Sequence, residues 1–169
     1  LLMTMGYKIN IFSKNFHLKE KKFKISNRIF EKFLKIKQTG NFTIYQNIED
    51  LPKNHTIETL TEDLDIKKKF ISKLNYDFDE KLLFTNTSSY NPKEINEKAF
   101  GVHFFNPIHQ LKIIETTCSQ SIMDNAAKFF FDDIKKLNFK IFKVKNNRGY
   151  VYNFLYFKKI ALYYELMEK

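Results

Sequence analysis

The sequence predicts an α/β layer fold. Three observations carry it. Strand-like and helix-like segments alternate along the chain. The composition is globular, with 43% apolar and 17% aromatic residues and no tryptophan. At 169 residues the chain is long enough for one domain whose core needs no disulfide, and its one cysteine, Cys118, allows no intramolecular bridge.

Taken in order, residues 7–12 alternate apolar and polar and read as a strand, introduced by Gly6 as a helix stop or turn. Ile29, Phe30, Phe33, Leu34 and Ile36 fall at helical spacing and predict a helix over 25–37. A short strand over 42–45 and a helical turn over 48–51, ended by Pro52, come next. Residues 56–60 form a further strand. A helix over 65–74 has Asp65 as N-cap and Ile66, Phe70, Ile71 and Leu74 on one face.

Residues 81–84 then run as a strand into the polar tetrad Asn86-Thr87-Ser88-Ser89. Strands are expected over 100–105 and 112–116. An amphipathic helix over 121–137 is capped by Ser121, with Asp124 three residues on. The last strand is 140–144, and 149–167 reads as a long, strongly apolar helix. Its face with Val151, Phe154, Leu155, Ile160 and Leu162 requires cover from a dimer mate or a further domain. The expectation is one domain over 1–147 and a protruding helix within 148–169.

The formal charge of +10 raises nucleic acid or an anionic surface as partners. The basic residues are nearly all lysine, with Arg28 and Arg148 the two arginines, and they are spread along the chain. A solvated lysine surface is the favoured reading over a nucleic-acid face. A milder use is attraction of a phosphorylated ligand such as a nucleotide or coenzyme A. No apolar run approaches the ~20 residues needed to span a bilayer, and no multi-cysteine metal site is possible, so neither membrane nor metal is expected. No targeting signature is visible, and a cytoplasmic setting is expected, or a mitochondrial matrix in a eukaryote. Residue 1 is not methionine, so the numbering is expected to start inside a longer protein.

The chemistry concentrates between Phe100 and Glu115. His103 sits in an apolar, aromatic segment, Glu115 closes a second apolar run, and the hydroxyl-bearing tetrad lies upstream. A hydroxyl, an imidazole and a carboxylate on successive strand ends are the parts of a proton-abstraction site. Singly, each has an ordinary reading. A lone histidine is more often a core or strand-end residue, Asn-Thr-Ser-Ser is a common turn string, and Glu115 would be a surface charge.

Taken together, the motifs are more specific. Glu58-Thr59-Leu60-Thr61-Glu62 through Lys67, Thr85 to Ser89, Gly101 to Pro107, Lys112 to Glu115 and Gly149 to Asn153 follow one another in order. In order and spacing this resembles the NAD-binding domain of the L-3-hydroxyacyl-CoA dehydrogenases, from about Gly6 to Leu155. The resemblance implies a Rossmann-like, mostly parallel sheet with flanking helices, followed by the first helix of an all-helical dimerisation domain. It implies NAD as cofactor and (S)-3-hydroxyacyl-CoA and 3-oxoacyl-CoA as substrate and product, with a homodimer in the full protein. His103 would take the hydroxyl proton, with Glu115 hydrogen-bonded to its other nitrogen. Ser88 would hold the substrate oxygen and Asn153 donate to a developing oxyanion. The family's cofactor positions fall on Glu62, Lys67, Asn86 and Ser88, and at Ser13 for the adenosine ribose. Taken alone, Glu62 and Lys67 read as a helix-start acid and an exposed lysine.

The chain also departs from the family pattern. Ser13 stands where an acidic residue normally binds the ribose, and Lys14 beside it leaves NAD against NADP open. Gly6, Gly40, Gly101 and Gly149 are far apart, so no G-x-G-x-x-G occurs. The first strand and phosphate loop are expected to be missing, not mutated, which makes this an N-terminally truncated unit. Arg148 replaces the proline that shapes the turn into the last helix, so a looser Asn153 is expected. His109 resembles the multifunctional β-oxidation proteins and Lys112 the monofunctional enzymes, which leaves the subfamily open. The rival reading is a non-catalytic remnant that serves as a binding or dimerising module.

Overall fold

The computed structural model describes residues 1–13, 28, 32, 40–74, 77, 78 and 80–168. A 3-10 turn, Leu2–Met5, ends at Gly6, whose φ of 85° is the left-handed stop expected there. Strand β1 (Ile9–Phe12) pairs in parallel with β2 (Phe42–Tyr45). Five further strands form a second sheet in chain order: β3 (Thr56–Glu58), β4 (Leu83–Thr85), β5 (Ala99–Phe104), β6 (Ile113–Thr116) and β7 (Lys140–Lys143). Every neighbouring pair is parallel except β5 and β6, so the sheet is mostly parallel, as expected. The helix expected over 25–37 and the lysines at 14 and 19–24 lie outside the described residues, apart from helical Arg28 and Lys32.

Successive residues of a strand face opposite sides, and the core divides accordingly. On one face Phe84, Val102, Phe104 and Ile114 pack with Met123, Phe130, Phe131 and Ile134. These helix residues come from α4 (Gln120–Asp124) and α5 (Lys128–Lys136). On that other face Leu83 and Ala99 meet Ile71 of α1 (Leu64–Lys73) and Ile95 of α2 (Pro92–Ile95), with Leu74 beside them. Both faces of the parallel part are covered, as such a sheet requires. The short α3 (Ile108–Leu111) fills the loop between β5 and β6.

Three helices differ from expectation. Helix α1 is capped by Asp63, whose carboxylate accepts the Ile66 amide at 2.9 Å, and Asp65 lies inside its first turn. The helix expected over 121–137 is two helices. Ser119, not Ser121, caps the first, and the Ala127 amide reaches back five residues to the Ile122 carbonyl, widening the turn that separates them. The last helix, α6 (Tyr152–Met167), begins three residues after Gly149. No residue of α6 is buried, and Leu155, Phe157 and Leu166 are each about 60% exposed, so its apolar surface has no cover among the described residues. No helix among those residues is long and apolar enough to cross a membrane.

Candidate active site

The antiparallel register of β5 and β6 sets His103 directly opposite Glu115. Opposed residues of paired strands project to the same face. The His103 Nδ1 lies 3.1 Å from Glu115 Oε2, and both residues are buried. An ionised carboxylate only accepts, so Nδ1 carries the hydrogen and Nε2 of the neutral ring keeps its lone pair. The second oxygen, Oε1, accepts the amides of Val151 at 3.2 Å and Tyr152 at 3.0 Å. Those amides open α6, and a carboxylate there satisfies donors the helix leaves unpaired. Glu115 is therefore not a surface charge; it joins the imidazole to the start of the last helix.

The next residue of that helix continues the link. Asn153 Nδ2 donates to the Ser88 carbonyl at 2.9 Å, and the Gly149 amide donates to Ser89 O at 3.0 Å. The tetrad is held from its other side by Glu62. Its Oε1 accepts the Thr87 hydroxyl at 2.5 Å and the amides of Ser88 and Ser89 at 2.9 and 2.8 Å. Burial would raise the Glu62 carboxyl, but the Thr87 hydroxyl, the Lys67 charge and the Ser88 amide outweigh it and hold it below the usual carboxylate range. Arg148, expected to loosen this turn, is itself anchored: its guanidinium forms a bidentate pair with Glu94 of α2.

Lys67 is not the exposed lysine of the isolated reading. It is buried at 1% exposure, with Nζ 2.9 and 3.1 Å from the two Glu58 oxygens, 3.2 Å from the Leu60 carbonyl and 3.2 Å from Glu62 Oε2. Thr85 donates to Glu58 Oε2 at 2.6 Å. Asn86 ties three strands together, its amide donating to Glu58 O and its Oδ1 accepting the Phe104 amide at 3.0 Å, one residue from His103. Sequence reasoning missed the role of Glu58. The available signal was a lone acidic residue in the middle of an otherwise uncharged strand over 56–60. Ser13 stands apart on the two-stranded sheet, buried, with its amide donating to Tyr45 O at 3.0 Å.

His103, Glu115, Asn153, Ser88, Glu62, Lys67 and Asn86 thus belong to one hydrogen-bonded assembly along the adjoining ends of β3, β4 and β5. Beside it an open groove of about 360 Å³ runs between Ser89 and the apolar side chains of Phe154, Phe157 and Ala161, with Arg148 and Lys158 also lining it.

Residues 6–146 match the family described as 3-hydroxyacyl-CoA dehydrogenase, NAD binding domain. The chain belongs to that family. It is 30% identical over 129 residues to a 3-hydroxybutyryl-CoA dehydrogenase of Clostridioides difficile, a match covering 70% of this chain and 44% of that protein. It is 26% identical over 162 residues to a fatty acid oxidation complex subunit alpha of Vibrio parahaemolyticus, covering 90% of this chain and 22% of the relative. The chain thus spans less than half the length of these curated relatives. The solved (S)-3-hydroxybutyryl-CoA dehydrogenase of Ralstonia eutropha superposes with a TM-score of 0.63 at 18% identity, over 85% of this chain and 65% of the other. The Escherichia coli 3-hydroxybutyryl-CoA dehydrogenase superposes with a TM-score of 0.67 at 15% identity, over 87% and 35%. These two likenesses concern the Rossmann-like fold.

The 3-hydroxyacyl-CoA dehydrogenase domain family implies NAD, and the residues at hand fit one end of it. Glu62, Asn86 and Ser88 cluster at the carboxyl ends of β3 and β4, where open α/β sheets take their ligands. At the pyrophosphate end, the glycine-rich turn that would present backbone amides is not among these 169 residues.

Proposed function

We propose that this chain carries the proton-handling half of a 3-hydroxyacyl-CoA dehydrogenase site, interconverting (S)-3-hydroxyacyl-CoA and 3-oxoacyl-CoA. The setting would be fatty-acid β-oxidation or hydroxybutyryl-CoA metabolism. The observation that carries this reading is the buried His103–Glu115 pair, joined through the first amides of α6 to Asn153 and Ser88.

In the oxidising direction the 3-hydroxyl proton passes to His103 Nε2 as the hydride leaves the same carbon. NAD, when bound, supplies the hydride acceptor. Glu115 fixes the tautomer beforehand and stabilises the imidazolium afterwards, so its contribution grows as the proton moves. The Ser88 hydroxyl holds the substrate oxygen. Asn153 keeps the Ser88 backbone in register with His103, and Glu62 does the same from the opposite side. The groove beside Ser89 offers apolar surface for an acyl chain and, at Lys158, a cation for the phosphates of coenzyme A. In this reading 148–169 opens a second unit that covers α6 in a homodimer.

The test is oxidation of NADH dependent on acetoacetyl-CoA. Turnover is expected, falling roughly 10²–10⁴-fold in His103→Ala. The rival reading is a binding module without catalysis. NADH or acyl-CoA binding with no turnover, or turnover indifferent to His103→Ala, would establish that rival instead.

A further inference from the structure

We propose that Tyr150 is a positioning residue for His103, its ring holding the imidazole in the plane from which Nε2 meets the substrate. The inference rests on the reading of His103 as the proton acceptor. Tyr150 is 1% exposed, and its ring stacks on the imidazole with centroids 5.2 Å apart and planes 20° from parallel. Phe105 provides a second, tilted ring at 4.9 Å. With Nδ1 bound by Glu115, the imidazole is fixed both along its edge and across its face.

Three features at this position are unfavourable in themselves. Tyr150 has a φ of 51°, a left-handed conformation uncommon for any residue but glycine, directly after Gly149 at 72°. Its hydroxyl is buried with no hydrogen-bond partner among the described residues, although phenylalanine would fill the same space without that cost. Gly101 of β5 must lack a side chain, because a Cβ there would lie 2.5 Å from the Tyr150 hydroxyl and 2.7 Å from its ring. Burial, then the nearby carboxylates of Glu115, Glu62 and Glu58, push the phenol's pKa upward, so it stays neutral. The left-handed backbone and the space left at Gly101 bring a π-face against the group that must become a cation, where the attraction is larger for imidazolium than for imidazole.

The experiment is solution NMR of the intact chain, with turnover measured in parallel. Nuclear Overhauser contacts should link the Tyr150 ring protons to the imidazole of His103, and the carbon-bound imidazole protons should be displaced upfield by the stacked ring. Tyr150→Phe should retain both signatures and melt at an equal or higher temperature. Tyr150→Leu should lose the upfield displacement and lower kcat with little change in KM for acetoacetyl-CoA. Absence of the ring contact in the unmodified chain would overturn the proposal. So would a folded Tyr150→Leu whose imidazole resonances match those of the parent. If Tyr150→Leu does not fold, the contacts in the parent and in Tyr150→Phe decide. The resonances do not depend on turnover, so an inactive chain with the ring contact intact would refute the dehydrogenase reading and leave the clamp standing.

Discussion

Lys67 Nζ reaches both carboxylate oxygens of Glu58, at 2.9 and 3.1 Å, and the two side chains have 1% and 0% of their surface in solvent. Removing one member of a buried pair strands the other charge, at a cost of about 3–5 kcal/mol. Lys67→Met should therefore lower the unfolding free energy by that order in urea titration, and Glu58→Gln by less, because Glu62 Oε2 still lies 3.2 Å from Nζ. The double variant should lose less than the sum of the two. Additive losses would show that the two charges do not depend on each other.

His55 makes stability depend on pH. Its Nδ1 accepts the Leu82 amide at 2.9 Å, a bond only the neutral ring can make. Burial, and then the Lys81 charge, lower its pKa from the ordinary 6.5. The unfolded chain therefore takes up the proton at higher pH than the fold does. The stability His55 confers is present above about 6.5 and is lost as pH falls through its folded pKa. His55→Asn retains an acceptor without a titrating ring. Its melting temperature should fall less than the parent's between neutral and mildly acidic pH, as read by circular dichroism.

Gly101→Ala should destabilise the chain by about 1–3 kcal/mol, the range for forcing extra volume into a packed core. The new Cβ meets the Tyr150 ring and hydroxyl, with Pro92 Cγ also at 3.0 Å. The loss should appear in the denaturation midpoint. Unchanged stability would show that Tyr150 yields easily and is not held where the structure has it.

Much of this was readable from residues alone. The order of the strands, the stop at Gly6 and the gathering of His103, Glu115, Ser88 and Asn153 follow from alternation, spacing and linked motifs. The gathering depends on the antiparallel return of β6, which sets Glu115 opposite His103. The burial of Lys67 was not legible, because its partner Glu58 belongs to a strand nine residues earlier and local helix spacing says only that a lysine is tolerated. Tyr150 was equally hidden. Its left-handed backbone and its approach to Gly101 join segments 49 residues apart, a relationship no local pattern encodes. The start of the helix expected over 121–137 was misplaced for a smaller reason: Ser119 and Ser121 are both plausible caps, and only the hydrogen bond to Ile122 separates them.

The most direct test of the central claim, that His103 and Glu115 act as one proton-handling unit, is a double-mutant cycle on acetoacetyl-CoA reduction. His103→Ala, Glu115→Gln and the double variant are compared with the parent. If Glu115 acts only through the imidazole, the double variant should be no slower than His103→Ala alone. Losses that multiply, or a parent no faster than His103→Ala, would contradict the account.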